Sequence, residues 1–183
     1  AAGPTAELGA FVASLRFSDL PASVVAAAQN VILDALGCAI GAWTDDRPKA
    51  DIMCALAGTF RAAPVATVWG SQGVRTDAAV AALANGALVN AADFDDTHKR
   101  ALLHTGSVVV PAALALAEER GLSGQAVITA VVAGYEAAVR VGMAVMPTHY
   151  RFWHSTATNG TFGGAATAAS ALGLDANGAR MAL

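Results

Sequence analysis

Apolar side chains recur three and four positions apart along almost the whole chain, the spacing that lines them up on one face of a helix. Leu8, Phe11, Val12 and Leu15 form the first such face and predict a helix over residues 7–17. Ser18-Asp19-Leu20-Pro21 then offers a cap residue and a first-turn proline for a longer helix. That helix runs through Val24, Val25, Ala28, Ile32, Leu36 and Ile40 and is expected to end near Gly41. A shorter helix is predicted over 48–60. Residues 64–70, Pro-Val-Ala-Thr-Val-Trp-Gly, are brief, β-branched and bounded by glycine, and read as the one extended segment. Thr76-Asp77 caps a helix to about Asn90, and residues 107–119 continue the pattern with Pro111 expected in the first turn. Gly121 stops that helix and Ser123 starts another, which ends before Pro147. A Gly/Ala-rich run over 160–173 follows, and Asp175 caps a final helix. Without an internal repeat or a low-complexity linker, residues 1–183 are expected to form one domain, an all-α, compact, Ala/Gly-rich helical bundle.

Composition sharpens this picture. Hydrophobic residues make up 55% and charged residues 14%, which argues against disorder. With 11 Lys+Arg against 14 Asp+Glu and no basic stripe, the chain is not expected to bind nucleic acid. About a quarter of the residues are Ala, and 18 are Gly. Small side chains let helix axes come closer than the usual ~8–10 Å, so Gly160-Thr161-Phe162-Gly163-Gly164 predicts a helix buried on most sides. That helix start is also a candidate anion site, because exposed N–H groups and the helix dipole favour a carboxylate there. Asp34, Glu136 and Arg140 interrupt the longest apolar runs before the ~20 residues a bilayer requires, so no membrane span is expected. Residues 1–5 show no basic segment leading into an apolar one, and Cys38 and Cys54 lack a CxxC spacing. Two buried free thiols suit a reducing, cytoplasmic setting. The chain opens without Met and stops at Leu183 soon after Asp175 caps a helix, which reads as part of a longer protein.

The chemistry-bearing side chains concentrate in two connections between helices. The first, residues 90–107, packs Asp93, Asp95, Asp96, His98 and His104 into twelve positions. Close carboxylates raise one another's pKa and imidazole titrates near neutrality, the combination general acid–base chemistry needs. His104-Thr105-Gly106-Ser107 also precedes a helix whose N–H groups point at an incoming carboxylate. The second connection, His149-Tyr150-Arg151-Phe152-Trp153-His154-Ser155-Thr156, adds an arginine able to grip a carboxylate bidentately. Asp93-x-Asp95-Asp96 with His98 has neither HExxH nor EF-hand spacing, and neither a metal nor another cofactor is expected.

Asn85-Gly86, Asp93-Phe94-Asp95-Asp96-Thr97-His98, the run 109–118 beginning Val-Val-Pro, Ala133-Gly134-Tyr135-Glu136, and His154-x-Thr156 before Gly160-Thr161-Phe162-Gly163 resemble the MmgE/PrpD family in order and spacing. That family includes 2-methylcitrate dehydratase, cis-aconitate decarboxylase and iminodisuccinate epimerase, which act on small polycarboxylates without a required metal. The resemblance implies a helical domain with a smaller α/β lid domain that lies outside this chain, and dimers formed through the helical part or a second chain that supplies the lid. It implies lyase-type chemistry of the 2-methylcitrate dehydratase kind, begun by proton abstraction alpha to a carboxylate, with decarboxylation and epimerisation as alternatives. It also implies Asp93, His104 and His154 as catalytic residues, either histidine carrying the proton and Asp93 orienting it or serving as its partner. Arg151, Thr105, Ser107 and Thr156 join them as substrate-binding candidates. Asn90 stands where the family commonly has His, and His104-Thr105 where it has His-Pro. The competing expectation is a dimerising helical scaffold that turns nothing over.

Overall fold

The computed structural model describes residues 3–60 and 63–183. Of residues 1–5, Ala1 and Ala2 lie outside the described residues. The elements run α1 (Pro4–Ser14), a 3₁₀ turn Phe17–Asp19, α2 (Ala22–Asp45), α3 (Arg47–Thr59), β1 (Ala66–Thr67) and β2 (Arg75–Thr76). They continue through α4 (Ala78–Val89), α5 (Gly106–Arg120), α6 (Gly124–Val145), a 3₁₀ turn His149–Arg151, α7 (Ser155–Ala171) and α8 (Ala176–Ala182). The fold is all-α with one small two-stranded sheet among the described residues.

Three helix starts are set by the capping chemistry visible in the sequence. The side chains of Asp77, Ser123 and Asp175 accept the backbone N–H of Val80, Ala126 and Gly178, each three residues on. Gly121, at φ 64°, ends α5 in the left-handed conformation that glycine adopts without strain.

Several boundaries differ from expectation: α1 spans Pro4–Ser14 and not 7–17, and α2 starts after Pro21 with no side-chain cap from Ser18 or Asp19, which lie in the 3₁₀ turn. Helix α2 runs through Gly41 to Asp45, since nothing there forces the backbone out of the helix. Pro111 lies in the second turn of α5, because the helix begins at Gly106. The proline leaves the Ser107 carbonyl without its helical donor, and the backbone of α4 packs against that oxygen. A Cβ on Gly86 would sit 2.7 Å from it. Helix α7 begins at Ser155, so Gly160 is a buried mid-helix residue and its N–H groups are not an anion site.

The extended segment shrinks to an antiparallel pair with Ala66 opposite Thr76 and Thr67 opposite Arg75. Buried Asn85 ties it to α4, donating to the Thr67 carbonyl at 2.9 Å and accepting the Trp69 N–H at 2.8 Å.

Helix α5 is central, packing on α2, α4, α6 and α7, while α6 and α7 lie most closely together. The expectation from composition holds there: a Cβ on Gly163 would sit 2.9 Å from the Ala138 Cβ and 3.2 Å from the Gly134 carbonyl. A bulkier residue would push the two helices apart. Contrary to the sequence reading, α2 and α6 are both long and apolar enough to cross a bilayer by length and composition. Helix α6 is a core helix, and α2 packs on α4, α5 and α6 while exposing Leu33 and Ile40. Both cysteines are half-buried free thiols. Burial and the Asp34, Asp95 and Asp96 carboxylates push the Cys38 thiol up, away from a nucleophilic thiolate.

Candidate active site

The connection between α4 and α5 is tied down from several sides. The Lys49 ammonium of α3 donates to the Ala91 carbonyl at 2.9 Å. The Asp34 carboxylate of α2 accepts the Asp96 N–H at 3.1 Å. Asp96 in turn accepts the Gly106 N–H at 2.9 Å, so the first amide of α5 is satisfied from inside the loop. The turn between His98 and Leu103 closes through a 2.9 Å backbone bond, with the His98 ring accepting the Ala101 N–H at 3.2 Å. That turn holds Lys99 and Arg100 exposed. Two non-glycine residues adopt left-handed backbone angles here, Asp93 at φ 51° and Leu102 at φ 47°. Aspartate tolerates this conformation, whereas leucine rarely adopts it, and such outliers persist only where surrounding contacts impose them.

These ties deliver His104 into a cradle of oxygens. Its Nδ1 lies 3.2 Å from Asp95 Oδ1, 3.2 Å from the Asp95 carbonyl and 3.3 Å from the Thr97 hydroxyl. Its Nε2 lies 3.5 Å from Asp93 Oδ1. The two carboxylates differ sharply, for the Asp95 side chain is 0% exposed and that of Asp93 is 82% exposed. Asn90 donates to Asp95 Oδ1 at 3.0 Å. Burial pushes the Asp95 and Asp96 carboxyls above the usual carboxylate range, against the lowering effect of Asn90 and His104 on the first and of Tyr135 and the Gly106 amide on the second. Burial and the adjacent Asp96 charge hold the Tyr135 phenol protonated, well above its ordinary range.

A hydrogen bond joins the first loop to the second. The buried Thr156 hydroxyl, in the first turn of α7, accepts the His104 N–H at 3.0 Å. His154 lies two positions earlier as the N-cap of α7, exposed, its Nδ1 accepting the Ala157 N–H at 3.3 Å. Arg151 is exposed in the 3₁₀ turn among exposed Tyr150, Phe152 and Trp153. Ser107 donates to the His104 carbonyl at 2.9 Å, and the Thr105 hydroxyl is buried without a protein partner. Of the candidate residues, the structure thus brings Asp93, His104, Ser107 and Thr156 into one connected set with Thr105 beside it. His154 and Arg151 are exposed, and among the described residues no side-chain hydrogen bond links either to that set.

Asp95, Asn90 and Thr97 are missing from the sequence-derived set. Asp95 stood in the same acidic string as Asp93, but only the fold shows which carboxylate is buried against the imidazole. Asp93, Asp95 and His104 each offer a donor atom within 4.8 Å of the others, close enough in principle for a divalent cation. The carboxylates approach opposite ring nitrogens, however, and Asp95 Oδ1 already accepts from Asn90. The arrangement is that of a carboxylate–imidazole–carboxylate chain.

The MmgE/PrpD N-terminal domain matches residues 6–183. The chain belongs to the MmgE/PrpD family. Within that family it is similar to a cis-aconitate decarboxylase of Aspergillus terreus, 32% identical over 183 residues, which cover 94% of this chain and 36% of the relative. It is 33% identical over 189 residues to the cis-aconitate decarboxylase-like protein oryM of Aspergillus oryzae, covering 93% and 36%. With human cis-aconitate decarboxylase it shares 30% identity over 178 residues, covering 92% and 36%. The chain spans about a third of the length of these curated relatives. The MmgE/PrpD match extends across all eight helices, so the loop holding His104 and the start of α7 are both part of the family domain.

Proposed function

We propose that this MmgE/PrpD domain contributes the imidazole of a proton-transfer site acting beside a carboxylate of a small polycarboxylate, in lyase-type chemistry. Decarboxylation of a cis-aconitate-like tricarboxylate is the reaction the similarity to cis-aconitate decarboxylases supports best. One observation carries the reading: a single imidazole lies between a buried and an exposed carboxylate, with Nε2 on the exposed side. In the decarboxylation, the bond between a methylene carbon and its carboxylate breaks and CO₂ leaves. The electron pair shifts through the adjacent double bond to the carbon beside another carboxylate, and Nε2–H of His104 protonates that carbon. Carboxylates on both sides stabilise the positive ring before it gives up its proton. Exposed Arg151, Lys99 and Arg100 are the cations available to the substrate's remaining carboxylates. His154, two residues from the Thr156 contact, would meet the substrate from the open side. Dehydration, the reaction first expected from the resemblance, would use the same imidazole as a base.

The test is proton NMR in D₂O of the chain with cis-aconitate, 2-methylcitrate, citrate or iminodisuccinate in separate tubes. Deuterium entering a carbon beside a carboxylate, and lost in His104→Ala, supports the reading, and the product identifies the reaction. Exchange that survives His104→Ala overturns it.

A further inference from the structure

We propose that Asp95, anchored by Asn90, is the positioning residue of His104, holding the ring as its Nδ1–H tautomer so that Nε2 is the nitrogen that exchanges protons with substrate. This rests on the reading of His104 as the proton carrier. It departs from the family resemblance, which gave the orienting role to Asp93.

The tautomer follows from the partners of Nδ1. A backbone carbonyl can only accept, and the Asp95 carbonyl lies 3.2 Å from Nδ1. Asp95 Oδ1, at 3.2 Å, also accepts when ionised. The third neighbour, the Thr97 hydroxyl at 3.3 Å, suits either role. Nδ1 must therefore carry the hydrogen, leaving the Nε2 lone pair toward Asp93 and the open side. The proton on one ring nitrogen is set by the hydrogen bond of the other, as in metal-site and hydrolase histidines.

Asp95 suits the orienting role and Asp93 does not. The Asp95 side chain has no exposed surface, so it cannot swing away, and Asn90 fixes Oδ1 at 3.0 Å. Asp93 is 82% exposed and 3.5 Å from the ring, which leaves it free to follow a substrate. The raised carboxyl of Asp95 supports the same assignment, because a carboxylate ionised against burial gains most from an adjacent positive ring. Asn90 then has a stated function: it presents Asp95 to the ring.

The experiment is two-bond ¹H–¹⁵N correlation on the 183-residue chain with ¹⁵N-labelled histidine, followed across pH without substrate. In the unaltered protein, neutral His104 is expected as Nδ1–H, against the Nε2–H form that free imidazole prefers. Asp95→Asn keeps the shape and removes the charge, and is expected to raise the share of the Nε2–H tautomer with circular dichroism unchanged. The other ionisable groups around the site stay in place: Asp93 and Asp96 in the loop, Asp34 and Cys38 on α2 and Tyr135 on α6. Asn90→Ala keeps the charge but frees the carboxylate, and is expected to mix the two tautomers. Where turnover is measurable, Asp95→Asn should lower kcat by about 100-fold with KM little changed.

An Nε2–H tautomer in the unaltered protein, or an unchanged tautomer ratio in folded Asp95→Asn, overturns the proposal. If Asp95→Asn fails to fold, the tautomer of the unaltered protein and its response to Asn90→Ala decide. An Nδ1–H ring in a chain that exchanges no polycarboxylate proton supports the positioning and counts against the functional reading alone.

Discussion

The two polar connections looked equally promising as strings of residues, yet the fold treats them differently. The α4–α5 loop is gripped by α2, α3 and α7, and it carries a fully buried carboxylate beside its histidine. The α6–α7 connection leaves Tyr150, Phe152 and Trp153 exposed, with His154 spent as a helix cap. Its His149 Nε2 lies 2.6 Å from the Thr158 hydroxyl in α7, a partner only nine residues on. Polar density alone therefore does not mark a built site. What marks it is polar side chains held out of water by elements distant in sequence, because burying them costs free energy unless partners are arranged in advance.

Replacement of each loop's histidine should break the comparison most strongly. His104→Ala is expected to lower proton exchange by at least about 10³-fold, within the range of a general acid–base group. It should cost only about 1–2 kcal/mol of stability, through the Asp95 contact left behind. His154→Ala is expected to lower exchange less, by about 10-fold to 100-fold, since the exposed ring reaches the substrate only from the open side. Its stability loss, about 1 kcal/mol, is that of an N-cap. Exchange rates for both variants, with melting temperatures beside them, check the pair. A larger rate loss at His154 than at His104 would reverse the ranking of the two loops.

Thr156→Val tests the join between the loops. It removes the hydroxyl that accepts the His104 N–H and leaves that amide buried, an expected cost of about 1–2 kcal/mol by thermal or urea unfolding. Exchange should fall about tenfold as the His104 backbone loosens. Unchanged stability and rate would mean that the loops act independently.

Much of this was legible in the sequence, and the limits have physical causes. Asp77, Ser123, Asp175 and Gly121 act within their own helix turns, so local reading located those boundaries. Gly41 and Pro111 were misread because neither residue decides an ending alone. A helix continues through glycine when its neighbours favour it, and a proline in the second turn is accommodated when a glycine packs on the freed carbonyl. In the site, residue type placed Asp93, Asp95 and His104 in one polar string, and the family resemblance singled out Asp93 and His104 from it. Asp95 was not singled out, because its distinction from Asp93 is burial, which the local string does not encode. The role of Asn90 was hidden for the same reason: its partner is chosen by the path of the loop.

The smallest effect, and the one that best separates the buried side of the site from its exposed side, is the pH dependence of stability. Asp95 and Asp96 both have carboxyls raised by burial, so between the ordinary carboxylate value of 3.8 and their folded values the native state holds more protons than the unfolded chain. Unfolding then becomes easier as pH rises through that window, and the stability these groups favour at low pH is lost above it. Asp96→Asn removes one such group while its side-chain oxygen can still accept the Gly106 N–H. The variant should therefore gain on the unaltered protein as pH increases from 4 toward 8, by a few degrees in melting temperature at the upper end. Asp93→Asn, on the exposed side, should show no such gain. Parallel melting curves for the three proteins over that range provide the check. A gain at Asp93→Asn equal to that at Asp96→Asn would mean that net charge, and not burial behind the His104 turn, controls the difference.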